Sequence, residues 1–256
     1  MKMDLSRFDV RLATTDEEVR AAQHLRYRVF VEEMGATVPP EDAALKIERD
    51  RFDPYFDHLL LIDRAAAEDD PARVIGVYRL LRGAVAKAGP GFYGAGEFDL
   101  TPLLELDRET VELGRSCVAQ EFRAGSAMLL LWNGVSRYVR DHGIEVMFGT
   151  ASFPGTDPAP LAEALSHLHH AHLAPPDIRV RAQPDHGIDM NLMPAAQVNA
   201  GRAMRATPAL IKAYLRLGGF VGEGAYVDHG FNTIDVCLLM DTERMVAKYR
   251  DFYSRD

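Results

Sequence analysis

Glu112 and Arg115 stand three residues apart in the run TVELGRSCV, and a small-residue turn, Arg123-Ala124-Gly125-Ser126-Ala127, follows it closely. Residues 109–118 read as a strand, and 126–142 as an apolar helix stopped by Gly143. A strand that feeds a turn that feeds a helix start leaves backbone N–H groups without partners. Such a place receives carbonyl or phosphate oxygens. With Glu112 as an acid or base and Arg115 as a cation just upstream, these residues form a kit for acyl transfer or phosphate binding. On a regular strand, positions three apart face opposite sides; a bulge at Gly114 would bring Glu112 and Arg115 to one side.

Further charges recur beside apolar runs. Arg79 interrupts VIGVYRLL, where alternation puts it on one face with Val77 and Leu81. A guanidinium in a central strand needs a carboxylate partner or a route to solvent. Arg26 and Phe30 are four apart and share a helix face. Asp50 and Asp53 bracket Arg51-Phe52 in a polar stretch. Two readings are open for this set. It is either a site for a polar substrate or an internal ion network that ties down the loop over 36–55.

The elements that carry these residues alternate between strands and helices. Residues 8–13 alternate apolar and charged side chains as a first strand. Thr14 and Thr15, followed by three acids, start a helix that runs to about residue 33 and stops at Gly35. Residues 36–55 contain Pro39-Pro40, show no sustained period and read as a long loop that lines a site. Strands are expected over 59–63, 74–81, 145–153, 178–180, 221–227 and 233–240. Between 83 and 106 the chain is glycine-rich and reads as a loop with one edge strand; it lacks the Gly-Lys-Ser/Thr ending of a phosphate loop. Helices are expected over 159–172, after Thr207-Pro208 and over 242–253. No linker or repeat is visible, so a single elaborated α/β domain is the expectation.

Composition narrows the function. The chain has 256 residues, 47% hydrophobic and 26% charged, with net charge −9, which argues against nucleic-acid binding. Cys117 and Cys237 sit in apolar runs and read as buried reduced thiols of a cytoplasmic protein. No signal sequence and no apolar stretch of ~20 residues is seen, so no membrane span is expected. His167, His169, His170 and His172 share a helix without an acidic partner pattern, and no metal site is expected there. Arg202, Arg205, Lys212 and Arg216 alternate with apolar residues. They suit an acidic protein partner, an anionic lipid surface in peripheral contact with the inner membrane, or plain helix packing.

The order of elements resembles the GNAT acyltransferase fold. The spacings Arg26-x-x-x-Phe30, Asp50-x-x-Asp53, Gly76-x-x-Arg79-Leu80 and Glu112-x-x-Arg115 resemble the charged constellation of acyl-homoserine-lactone synthases. The words LRYRVFVEEMGA, GEFDL, ELGRSCV and NLMPAAQVN are more similar to the ornithine lipid synthesis N-acyltransferases. That resemblance covers nearly the whole chain. It implies an α/β fold with a mixed, mostly antiparallel central sheet flanked by helices, in one domain over 1–256 with an elaborated segment around 155–220.

It also implies a reaction: transfer of a 3-hydroxyacyl group from acyl carrier protein to the α-amino group of ornithine, giving lyso-ornithine lipid. Glutamine or another amino acid is the alternative acceptor, and lactone synthesis the alternative branch. The GNAT turn pattern departs here, with Phe122 where a polar residue belongs and Arg123 one place late. This fits a phosphopantetheine arm carried by the donor protein better than coenzyme A, with no cofactor bound permanently. The resemblance assigns Glu112 and Arg115 to catalysis, Arg26, Phe30, Asp50, Asp53 and Arg79 to the acceptor, and Val118, Arg123, Gly125, Ser126 and Ala127 to the pantetheine arm. The strand at Val118-Ala119 would part from its neighbour to receive the pantetheine amides.

Overall fold

The structure, a computed structural model, describes residues 5–245. In chain order the strands are β1 Phe8–Leu12, β2 Asp57–Asp63, β3 Val74–Arg82, β4 Phe98–Asp99, β5 Thr110–Val118, β6 Val146–Pro154, β7 Arg181–Ala182, β8 Gly187–Ile188, β9 Phe220–Val221, β10 Ala225–Asp228 and β11 Thr233–Asp241. The helices are α1 Asp16–Arg26, α2 Pro40–Leu45, α3 Gly83–Ala88, α4 Thr101–Leu104, α5 Ala127–Asp141, α6 Ala162–His172, α7 Ala200–Ala206 and α8 Ala209–Arg216. The chain forms two compact units. One holds residues 1–90 and 113–143, the other 91–112 and 144–256.

In the first unit β1, β2 and β3 are antiparallel neighbours, and the later part of β5 lies beside β3. Thr15 caps α1 by accepting a hydrogen bond from the Glu18 amide, and three acids fill the first turn, where the helix dipole favours them. α1 does not stop at Arg26. It widens into a π-helical stretch, Tyr27–Glu33, before Gly35 turns the chain at φ +79°. Such stretches are uncommon and cluster at functional sites. α5 lies on β1 and β2 through Gly134, where an added Cβ would stand 2.5 Å from Val10 Cγ1 and 3.0 Å from Leu59 Cδ2.

In the second unit β6 and β11 pair antiparallel over nine residues, from Thr233–Pro154 to Asp241–Val146. β10 and then β8 extend that sheet, and β9 pairs with β11. The first residues of β5 run parallel to β6 in the register Thr110–Val146, Val111–Met147 and Glu112–Phe148. The sheet is therefore mixed and mostly antiparallel, as expected.

Several elements differ from the sequence expectation. The stretch over 36–55 holds α2, which is too short to show a helical period; Pro40 at its first turn and Lys46 at φ 51° after its end bound it. The strand expected over 178–180 is instead Arg181–Ala182, because β4 supplies its partner there. The region over 83–106 is more ordered than a loop with one edge strand, and contains α3, a 3-10 turn at Tyr93–Gly96, β4 and α4. The terminal helix expected over 242–253 lies, from residue 246 on, outside the described residues. Before that point the chain turns, with the Arg244 amide bonded to Asp241 O. Among the described residues no helix is long and apolar enough to cross a membrane.

Gly134→Ala is expected to destabilise the protein by about 1–3 kcal/mol, because its methyl enters space held by Val10 and Leu59. Chemical denaturation of the variant beside the wild type measures it.

Candidate active site

In the first unit, the singled-out charges and one unforeseen residue resolve into a closed ring. Arg26 at the end of α1 is 0% exposed. Its Nη1 and Nη2 meet Asp53 Oδ1 and Oδ2 at 2.9 and 3.0 Å, and its Nε meets Glu48 Oε2 at 2.5 Å. Glu48 Oε1 accepts from Arg115 Nε at 3.1 Å, and Arg115 Nη2 reaches Asp50 Oδ2 at 3.3 Å. Arg79 Nη1 closes the ring on Asp50 Oδ1 at 2.8 Å and Asp53 Oδ1 at 2.5 Å. Three guanidinium groups alternate with three carboxylates, and the charges cancel.

Neighbours complete the ring. Gln23 Nε2 donates to Asp53 Oδ2, the His58 ring meets Asp53 O, and the Arg79 guanidinium stacks 4.3 Å from the Phe56 ring centroid. Burial alone would raise the Asp53, Asp50 and Glu48 carboxyls, but the facing arginines outweigh it and hold all three below the usual carboxylate range. Burial lowers the His58 imidazole. Arg115 has φ 49°, so the irregular residue of β5 is Arg115 itself, one place after the expected Gly114. A left-handed non-glycine residue costs about 1–2 kcal/mol, which the buried ion pairs must offset. Phe30 lies half-buried on the π-helical stretch, where its carbonyl accepts from the Ala36 amide.

The turn before α5 is partly committed. Arg123 Nε donates to Val118 O at 2.8 Å, and its Nη2 pairs with Glu33 at 2.7 Å. The Ala119 amide gives to Ile75 O and the Gly125 amide to Phe122 O. α5 starts at Ala127, with Ser126 as its cap residue and Ser126 O accepting from Leu130. The amides of the helix's own first turn have no intrahelical acceptor.

In the second unit, β5 presents Glu112 on a polar sheet face. Cross-strand partners project to one side and alternate residues share it. Glu112, Phe148, Thr150, Cys237, Asp235 and Tyr226 thus stand on the same face. Phe92 packs edge-on against Phe148, with centroids 4.9 Å apart, and this anchors the 3-10 turn that follows. The Tyr93 and Gly94 amides then donate to Glu112 Oε2 and Oε1 at 2.8 and 2.6 Å. Glu112 is 2% exposed. A Cβ on residue 94 would stand 2.9 Å from Glu112 Oε1, so glycine is what allows the backbone this close. Farther along the face, Glu97 Oε2 accepts from Thr150 Oγ1 at 3.0 Å. Burial, then the charges of Glu112 and Glu97, push the Cys237 thiol upward, so both carboxylates bear on one point of the face.

The charged spacing that singled out Arg26, Asp50, Asp53, Arg79 and Arg115 selected residues that do meet. Glu48 was missed. In the run IERDR it reads as one more solvated alternating charge, and its period-two spacing from Asp50 was the available signal. Glu97 carries no signal of its own beyond its place in the run GEFDL.

A model of the acetyltransferase (GNAT) domain matches residues 25–133. The L-ornithine N(alpha)-acyltransferase of Rhodobacter capsulatus is 52% identical over 248 residues, covering 97% of this chain and 95% of that protein. The protein of the same name from Agrobacterium fabrum is 42% identical over 247 residues, covering 96% and 84%. The chain belongs to the L-ornithine N(alpha)-acyltransferase family. It is an acyltransferase of the GNAT class. Among solved structures, FeeM, an N-acyl amino acid synthase from uncultured soil microbes, has the same fold, with TM-score 0.52 at 11% identity over 94% of this chain and 96% of that one.

The ring makes a prediction about acid stability in this acyltransferase. Its carboxyls titrate lower in the folded chain than in the unfolded one, so the unfolded state takes up protons first as pH falls. The stabilisation is fully present above about pH 4–5 and is lost as pH drops through the lowered values. Asp53→Asn leaves two buried guanidinium groups short of an anion. It is expected to cost about 3–5 kcal/mol at neutral pH and to flatten the acid limb, read from denaturation midpoints between pH 7 and pH 3.

Proposed function

We propose that the chain moves a 3-hydroxyacyl group from acyl carrier protein to the α-amino group of L-ornithine, giving lyso-ornithine lipid. The observation that carries this reading is full-length similarity, up to 52% identity, to proteins named for acylating that nitrogen. The orientation of Glu112 supports it.

The chemistry is aminolysis of a thioester. An α-ammonium has a pKa of roughly 8 and must lose a proton before it attacks. Glu112, held in a fixed plane by two amides, takes that proton directly or through a water. The nitrogen lone pair adds to the thioester carbonyl. This addition forms the C–N bond; collapse of the tetrahedral adduct then breaks the C–S bond, and the nitrogen's second proton leaves with the sulfur as the pantetheine thiol. A backbone N–H near Val118 would hold the oxyanion as it develops.

The donor's arm ends in one phosphate. The first turn of α5, from Ser126 and Ala127, offers amides and a helix dipole to it, with Arg123 as the adjacent cation. Arg123 would exchange Glu33 for the phosphate. Acyl carrier proteins are acidic, and Arg205 and Arg216 of α7 and α8 are exposed to meet one; Arg202 is already bound in a bidentate pair by Glu163. Arg26, Asp53 and Arg79 act as a framework within their own unit, since their charges are spent on one another.

The deciding experiment mixes purified protein with a 3-hydroxyacyl carrier protein and a panel of amino acids, and identifies products by mass spectrometry. N-α-acylated ornithine as the fastest product supports the reading. Faster acylation of glutamine, or no acylation of any amino acid, rejects it.

Glu112→Gln is expected to lower kcat by about 10²–10⁴ with the fold intact. Full turnover in a folded Glu112→Gln protein removes the base assignment. Gly94→Ala pushes the carboxylate by a few tenths of an ångström and should cut kcat about tenfold or more, since misplacement of this order is costly. Steady-state kinetics at saturating donor read both.

A further inference from the structure

Glu97, Asp235 and Asp228 form an acidic cluster on the same sheet face as Glu112, in the second unit. One carboxylate oxygen from each lies within 4.8 Å of the others. Asp235 is 3% exposed and Glu97 7%, while Asp228 is half-buried at the solvent side. Asp228 is held by the Gly230 and Phe231 amides at 2.7 and 3.0 Å, which fixes its place at the start of the hairpin turn. Carboxylates gathered this closely raise the cost of one another's ionisation, and a cation brought among them relieves it.

A second observation stands beside the cluster. Thr233 is 2% exposed, and its hydroxyl has no hydrogen-bond partner among the described residues. It lies opposite Asp228 in the β10–β11 register and two residues before Asp235, so it points from the same face into the same place. Thr150, bonded to Glu97, stands on the same face, and Tyr226 lies opposite Asp235.

We propose that this cluster receives the side-chain ammonium of the amino-acid acceptor and so selects a diamino acid. The inference deepens the proposed function and rests on that reading for the identity of the acceptor. An ammonium offers three hydrogens and no acceptor. Three oxygens at about 2.8 Å from its nitrogen in tetrahedral directions lie about 4.6 Å apart, inside the 4.8 Å that bounds the three carboxylate oxygens.

The distance to the base also suits a diamino acid. Glu112 pairs with Phe148, and Glu97 binds Thr150, two residues farther along the same face of β6. Two residues of strand span roughly 7 Å, comparable to the five bonds between the α and δ nitrogens of ornithine. An acceptor lying along this face puts its α-nitrogen at Glu112 and its side-chain nitrogen at the cluster.

The test uses the full chain as wild type, Asp235→Asn and Glu97→Gln, each checked for folding by melting curves. Where either variant does not fold, Asp228→Asn at the half-buried rim replaces it. Calorimetric titration compares L-ornithine with L-norvaline, which lacks only the δ-ammonium, so binding is read without turnover. The wild type should bind ornithine at least tenfold more tightly, and that ratio should fall to within threefold of one in the folded variants. A wild type that binds both equally, or variants that keep the ratio, overturn the proposal. So does saturation of the cluster by magnesium or calcium chloride, lost in Asp235→Asn, without a preference for ornithine. Parallel acylation assays keep the two claims apart: preferential ornithine binding with no acylation supports the pocket and removes the proposed function. Where acylation occurs, the variants should raise the ornithine KM far more than they lower kcat.

Discussion

Closure of the ring Arg26–Glu48–Arg115–Asp50–Arg79–Asp53 is the constraint on which the first unit depends. Removing one buried charge from water costs several kcal/mol, and a lone pair of charges barely recovers it. Here each guanidinium faces two carboxylates and each carboxylate two guanidinium groups, so every member has two partners to offset its desolvation. The arrangement works only as a whole. It requires the end of α1, the chain over 48–53, β3 and β5 to deliver their side chains together. That requirement explains three local oddities at once. Arg79 sits in the middle of an apolar strand, Arg115 tolerates a left-handed backbone, and the stretch after α2 stays in place with little regular structure.

The same logic runs differently on the polar face of the second unit. Glu112 is satisfied by backbone amides rather than by a matched ring, and the amides come from a turn that Phe92 pins to Phe148. Backbone donors hold a carboxylate in one plane. Like guanidinium partners, such donors favour the charged form of the carboxylate they hold. The chain thus uses its charged constellation in two ways: as a closed neutral framework in one unit, and as an oriented carboxylate in the other.

Much of this was legible in the sequence, and the boundary is physical. Long strands with one apolar face, such as β6 and β11, announce themselves by composition and length. The recurring charges were also visible, because an arginine such as Arg79 has no place in an apolar run without partners. The pairings were not visible. Sequence spacing left Arg26, Arg79, Asp50 and Asp53 open between a substrate site and an internal network, and only the folded register shows their donors and acceptors meeting one another. Glu48 escaped notice because a charge among charges looks solvated, and α2 because six residues make under two turns. The turn over Tyr93–Gly96 was hidden for a related reason. Its value lies in main-chain N–H groups, which every residue but proline carries, so the letters do not mark it.

The acidic cluster follows from register in the same way. Glu97, Asp228 and Asp235 come from three separate stretches, and no spacing joins them. A residue shift of one place in β10 against β11 would turn Asp235 to the opposite face and scatter the group. What holds that register is a pairing of nine residues between β6 and β11, followed by a hairpin whose turn is closed by Asp228 itself. Asp228 therefore serves both the turn that sets the alignment and the cluster that the alignment creates. Two of the three carboxylates, Asp228 and Asp235, are carried on strands, and a site on strands keeps its geometry better than one on loops.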